Sequence, residues 1–184
     1  NNYLVSIEDV PAVTEVANIG ALKDVPEGTE VKLALTNAVV NLWSGSGQSM
    51  ASYVEDATGA IQFDMGLSNI EWMRDSIAMN GYVYASYGKD YDGIPQLSVS
   101  DSTIASKVDT VAAVPTSKVM TVADASKESA ISRYVKFEKV EFAKKVIDDW
   151  GTTECYLVQG TDTITFFDKF SLFGWGAMPD FKSF

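Results

Sequence analysis

The chain has 184 residues, 46% of them hydrophobic and 11% aromatic, with 14 Lys and Arg against 25 Asp and Glu for a net charge of −11. That composition is globular and excludes the disordered class, and no run of about 18 apolar residues is present to cross a bilayer as a helix. The charge is uneven: residues 1–106 hold 4 basic and 14 acidic side chains, while residues 107–184 hold 10 and 11. Phosphate backbones are bound mostly through Lys and Arg displacing counterions, so the first part is disfavoured as a nucleic-acid binder.

There is no histidine. The commonest general base is therefore missing, with the Ser–His and Cys–His nucleophile pairs and any zinc site that needs imidazole. The one cysteine, Cys155, precedes Tyr156-Leu157-Val158 and reads as a small buried strand residue. The chain opens at Asn1 without a methionine or a signal-peptide pattern, as a mature exported protein or a trimmed chain would.

In chain order, a short lead-in reaches Asn18, a good N-cap for a one- or two-turn helix. A long strand is expected over about 29–42. Val31, Leu33 and Leu35 alternate, then the apolar phase slips to Ala38, Val40 and Leu42, which calls for a bulge or bend. Tyr53-Val54-Glu55-Asp56 and Ile61-Gln62-Phe63 form a hairpin across Ala57-Thr58-Gly59. Leu67, Ile70 and Met73 at helical spacing suggest a short helix over 67–75. A fourth strand over 77–87 and a fifth over 94–100 are joined by the turn Asp90-Tyr91-Asp92-Gly93, and residues 102–118 read as a linker.

The pattern then recurs. Val31-Lys32-Leu33 returns 104 residues on as Val135-Lys136-Phe137, and Tyr53-Val54 returns 103 residues on as Tyr156-Leu157. Thr58 to Phe63 returns as Thr161 to Phe166, and Val16 to Gly20 as Val122 to Ser126, with Asp124 as the matching cap. A second long strand is expected over 133–147, with its own phase slip to Val140 and Phe142. No equivalent of strands four and five follows Phe166-Phe167-Asp168. The expected units are residues 1–106 and 107–184, with a boundary between about 102 and 120. Val31, Leu33, Ile61, Phe63 and Val83 should be buried in one, and Val135, Phe137, Ile164 and Phe166 in the other.

Strand, hairpin, helix, hairpin is the order of the OB-fold, a five-stranded Greek-key barrel that binds oligonucleotides or oligosaccharides. The first copy resembles bacterial OB-fold domains at Gly28-Thr29-Glu30-Val31, at Tyr53 to Gly59, and at Asn80-Gly81-Tyr82-Val83 with Gly93-Ile94-Pro95-Gln96-Leu97. The arrangement is also similar to tandem OB-like domains in exported, often lipid-anchored proteins of gut Bacteroidetes. The fold class expected is mainly β, two tandem OB-like five-stranded barrels with short helices, the second incomplete. The resemblance implies an extracellular, cell-surface or periplasmic setting, with a lipid anchor attached upstream of this chain.

The candidate ligand residues are Trp43, in the loop between strands one and two, Trp150 in the matching loop of the second copy, and Tyr87, Tyr91 and Asp92 around the loop between strands four and five. Exposed Trp and Tyr stack on sugar rings, bases or partner side chains, whereas a Trp folded back would only cap its barrel. No catalytic residue, metal ligand or cofactor is assigned. Asp90-Tyr91-Asp92-Gly93 opens like an EF-hand loop but has Asp101 where the twelfth-position Glu belongs. Glu55, Asp56 and Asp64 lack the arrangement of a glycosidase pair. Arg133, Lys136, Lys139, Lys144 and Lys145 are interleaved with Glu138, Glu141, Asp148 and Asp149, the pattern of a mixed solvated face.

The reading is a non-catalytic exported binding module for a protein or a carbohydrate. A single-stranded nucleic-acid binder using the second copy's lysines comes second, and an enzyme third. Residues 168–184 carry Phe170, Leu172, Phe173, Trp175, Met178, Phe181 and Phe184 and are too apolar for a free tail. They are expected to cover the open second barrel, pack on the first domain or pair with another chain.

Overall fold

A computed structural model describes residues 13–44, 51–64, 77–99, 107–147 and 153–167. The chain divides into two compact units, Asn1–Val114 and Pro115–Phe184. Among the described residues no helix is long and apolar enough to cross a membrane.

The first unit holds strands β1 (Thr14–Val16), β2 (Thr29–Ser44), β3 (Ala51–Glu55), β4 (Ala60–Asp64), β5 (Ile77–Lys89), β6 (Pro95–Ser98) and β7 (Lys107–Ala112), with a 3-10 helix over Ile19–Asp24. Five strands close into a ring in the order β2-β3-β4-β6-β5 and back to β2. Every pairing in the ring is antiparallel except β4 with β6. Counted from β2, the ring runs one, two, three, five, four, and this is the OB-like closed barrel expected from the element order.

Closure depends on β2, which is long enough to pair along both edges. Its residues from Thr29 to Val39 pair with β5, and those from Val39 to Ser44 pair with β3. The register shifts between Leu35 and Ala38, where the apolar phase slips in the sequence, and again between Val40 and Leu42, where the sequence pattern continues without a slip. Asn37 takes a φ of 48° inside the first shift. Its backbone N–H donates to Asn80 Oδ1 at 2.8 Å, so the bulged backbone keeps a partner.

Val31, Leu33, Ile61, Phe63 and Val83 are sealed inside this barrel with Val40, Val54, Met79 and Leu97. Removing one such side chain, as in Leu33→Ala, costs about 2–5 kcal/mol. Ile19 and Leu22 of the 3-10 helix join the same core. Asn18 caps that helix, its Oδ1 accepting from the Ala21 N–H at 3.0 Å.

Residues 107–112, which composition placed in a linker and the repeat assigned to the second unit, form β7 instead. It pairs with β5 from Ile77↔Ala112 to Tyr82↔Lys107, and Val108 packs against the first core. An edge strand needs only one apolar face, so its Ser- and Thr-rich surroundings concealed it.

The second unit holds β8 (Lys118–Val119), helix α1 (Val122–Ala125), a 3-10 turn over Glu128–Ala130, β9 (Val135–Lys136), β10 (Glu141–Ile147), β11 (Thr153–Gln159) and β12 (Asp162–Phe167). The single strand expected over 133–147 is broken between β9 and β10, where Lys139 takes a φ of 56°. Thr121, not Asp124, caps α1: its hydroxyl accepts from the Asp124 N–H at 3.0 Å. Val122 and Leu157 are buried. Val135, Phe137, Ile164 and Phe166, expected to be buried, are only half-buried, because the described strands here form a three-stranded meander and a two-stranded ladder rather than a ring.

The two units share local geometry. β1 runs parallel to β2 with Thr14 opposite Val31, and β8 runs parallel to β9 with Lys118 opposite Val135, both partners 104 residues on. The hairpins match in register, with Tyr53↔Gln62 and Val54↔Ile61 against Tyr156↔Thr165 and Leu157↔Ile164. The shift between Val40 and Leu42 has a counterpart between Phe142 and Lys144. The helix expected over 67–75, Trp150, and residues 168–184 lie outside the described residues, as do the side chains of Cys155, Lys144 and Lys145.

Candidate ligand-binding faces

Strand alternation assigns the outer surface of the first barrel. Ser52 and Val54 are fully buried, so Tyr53 and Glu55 stand on the opposite face of β3. Ile61 and Phe63 point inward in the same way, which leaves Gln62 outside, opposite Tyr53 on β3 and Gln96 on β6. The outer face of β3, β4 and β6 thus presents an aromatic ring, two amides and the Glu55 and Asp64 carboxylates.

Gln62 is only 6% exposed although it lies on this outer face. Its Nε2 makes long contacts of 3.3 Å to Gln96 Oε1 and 3.5 Å to Asp90 Oδ2. Its Oε1 is buried and has no hydrogen-bond donor among the described residues. A buried acceptor left without a donor costs about 1–3 kcal/mol, so a hydroxyl or water that supplied one would be favoured. Asn41, in the second register shift of β2, donates from Nδ2 to Glu55 Oε2 at 2.9 Å at the edge of the same face.

The turn after β5 is held by Asp90. Its Oδ1 accepts from the N–H groups of Asp92 at 2.9 Å and Ile94 at 2.8 Å, and the backbone closes with the Gly93 N–H donating to the Asp90 carbonyl at 3.0 Å. Gly93 has a φ of 79°, a conformation open to glycine at little cost. These bonds set Tyr91 and Asp92 at the tip of the turn, Tyr91 fully in solvent.

The other two described candidates are placed differently. Tyr87 is 7% exposed and belongs to the core, in phase with Val83 and Ala85 and opposite Thr29 and Leu97. It is a packing residue, not a surface one. Trp43 lies on β2 itself, opposite Ser52, and packs half-buried against the core rather than standing out in a loop. Tyr53, Gln62 and Gln96 went unrecognised in the sequence, although the hairpin alternation already put the first two on one face.

Charge on this face is one-sided. Glu55, Asp64, Asp90 and Asp92 lie on it or beside it, and the nearby cation Lys89 is ion-paired with Glu27. Among the described residues no three His, Cys, Asp or Glu side chains gather closely enough to hold a metal. In the second unit Lys136 pairs with Glu138 at 3.0 Å, and Arg133 Nε donates to the Ser129 carbonyl at 2.9 Å.

Asp56, beside the face, serves the fold. Its Oδ1 accepts from the Thr58 N–H, the Thr58 hydroxyl and the Gly59 N–H at 2.7, 2.6 and 2.9 Å, and its Oδ2 accepts from the Ile19 N–H at 3.2 Å. Burial pushes this carboxyl up, but the hydrogen bonds from Thr58, Gly59 and Ile19 outweigh it and hold the group below its ordinary value. Gly20 and Gly59 meet at this junction, and a Cβ on Gly59 would come within 2.9 Å of the Gly20 nitrogen. In the second unit Gln159, 103 residues after Asp56, does the same work: its Oε1 accepts from the Val122 N–H at 3.0 Å.

A concavity opens over the outer face of β1, β2 and β5. It has a volume of about 460 Å³ and is lined by Glu15, Val16, Ala17, Lys32, Ala34, Gly81 and Tyr82. Lys32 Nζ donates to Glu15 Oε1 at 3.0 Å and lies 4.9 Å from the centre of the Tyr82 ring, which meets Tyr84 edge to face at 5.7 Å.

No protein-family model and no curated protein matches this chain. Among solved structures it is similar to one assigned as an aspartyl-tRNA synthetase from Leishmania major Friedlin, at 19% identity and a TM-score of 0.35, over 72% of this chain and 27% of that one. It is also similar to the Ifi202 HINa domain in complex with 20-bp double-stranded DNA, at 12% identity and a TM-score of 0.29, over 76% of this chain and 73% of that one. The chain thus spans about a quarter of the synthetase, and likenesses this distant assign neither a ligand nor an activity.

Proposed function

We propose that this chain is a non-catalytic binding module, exported or held at the cell surface, whose first barrel takes a carbohydrate or protein ligand on the outer face of β3, β4 and β6. The observation that carries this reading is the Tyr53, Gln62 and Gln96 group, with its donorless Gln62 oxygen, on the strand face that OB-like barrels use for ligands. Amides and carboxylates beside one aromatic ring suit hydroxyl and amide groups. The acidic surroundings oppose a phosphate backbone.

On this reading the second unit is a second copy of the same barrel, supported by the shared registers, caps and junction. The exported setting rests on the resemblance to tandem OB-like domains alone, and fractionation of the native cells tests it. A calorimetric titration against a panel of neutral oligosaccharides tests the ligand. Binding should be lost or weakened about tenfold in Tyr53→Ala and Gln62→Ala, each loss corresponding to about 1.4 kcal/mol. Oligosaccharide binding that survives both substitutions would remove this face from the account.

A further inference from the structure

The concavity over β1, β2 and β5 lies on strands other than the proposed face, and its chemistry is specific. Its floor is made of residues with little or no side chain. Ala34 faces out from β2 between the inward Leu33 and Leu35, and Gly81 sits inside β5 directly opposite Leu35. Ala17 continues the row just past β1. A glycine inside a strand weakens it and often marks a place where something approaches the backbone closely. Here a larger residue at Ala34 would fill the hollow, whereas Gly81, in phase with the inward Val83, lines it with bare backbone.

The wall is Tyr82, steadied edge to face against Tyr84 with an interplanar angle of 85°. The ammonium of Lys32, 4.9 Å from the ring centre, shows that one face of Tyr82 is available to a positively polarised group. The polarised C–H face of a sugar ring is the uncharged equivalent. The Glu15 and Lys32 pair at one end offers an acceptor beside a donor, as adjacent hydroxyls require, and carries no net charge. Both side chains are partly exposed, at 79% and 32%, so the pair can shift to admit a ligand. The volume falls within the roughly 300–1,000 Å³ of small-molecule sites.

We propose that this hollow is a second, independent site for a neutral pyranose ring, which lies on Ala34 and Gly81, stacks on Tyr82 in place of the Lys32 ammonium, and hydrogen-bonds Glu15 and Lys32 through adjacent hydroxyls. A charged sugar fits less well, because the paired rim has no spare charge to neutralise it.

The test is a titration of the full chain, labelled with nitrogen-15, with the methyl pyranosides of glucose, galactose and mannose. Amide shifts should concentrate at Ala17, Ala34 and Gly81. Affinity should fall roughly fivefold to tenfold in Tyr82→Ala and hold in Tyr82→Phe. Ala34→Leu leaves the core untouched and fills the hollow, so it should abolish the shifts in a folded protein. Gln62→Ala should leave them intact, which separates this site from the β3–β4 face. No shifts with any of the three sugars, shifts that survive Ala34→Leu, or a preference for a peptide over the sugars at these residues would each overturn the proposal.

Discussion

Asp56 shows how much one side chain carries when it joins two elements. Four hydrogen bonds converge on its carboxylate and tie the 3-10 helix to the β3–β4 turn. Asp56→Ala should destabilise the first unit by about 1–3 kcal/mol, because it leaves buried N–H groups without an acceptor. The pH dependence follows from the same contacts. The folded carboxyl is held below its ordinary value, so its contribution is complete above the unfolded pKa of about 3.9 and fades as pH falls through the lower folded one. Thermal melts from pH 7 to pH 2 should show an acid-sensitive step that Asp56→Asn reduces. An unchanged acid limb in that variant would assign the step to other carboxylates. The junction also tests packing. Gly59→Ala should cost about 1–3 kcal/mol through overpacking, whereas a Cβ on Gly88 meets nothing within 4 Å, and Gly88→Ala should leave the melt almost unmoved.

Among the elements, those with a clear period could be read directly. Val31, Leu33 and Leu35 gave β2, its phase slip gave the register shift between Leu35 and Ala38 but not the one between Val40 and Leu42, and Thr58-Gly59 gave the hairpin, because a half-buried strand writes its alternation into the sequence. β7 could not be read this way, since a polar edge strand reports its partner only through tertiary pairing. A chain ending at residue 106 should therefore melt several degrees below one ending at 114, as it loses the β5 pairing and the cover of Val108. Equal melting temperatures would make β7 dispensable. The candidate site was legible in part. Tyr91 and Asp92 stand at a turn tip as expected, but Tyr87 shares the inward phase of Val83 and Ala85, so its aromatic character misled where its position would have placed it. The floor of the hollow needs Ala34 and Gly81 brought to neighbouring strands from 47 residues apart, which no local pattern encodes.

At the scale of the whole molecule, the proposed repeat and the charge set the terms. The same local devices recur in both units, with Asn18 and Thr121 as caps and Asp56 and Gln159 at the helix junction. The side chains differ while the hydrogen bonds they accept are alike, so a sequence match alone would pass these positions over. Residues 170–184 are rich in large apolar side chains, whose exposure to water is unfavourable. Deleting them should lower stability or solubility, and a variant that stays monomeric with an unchanged melting temperature would refute this. The central claim is that a chain with net charge −11 binds an uncharged ligand. The most direct measurement is binding to neutral oligosaccharides and to single-stranded DNA, side by side, at low and high salt. Oligosaccharide binding should be left nearly unchanged by salt, with little DNA binding at either salt. DNA binding that is tight at low salt and falls steeply as salt rises would contradict the claim, because that slope is the signature of phosphates neutralised by Lys and Arg.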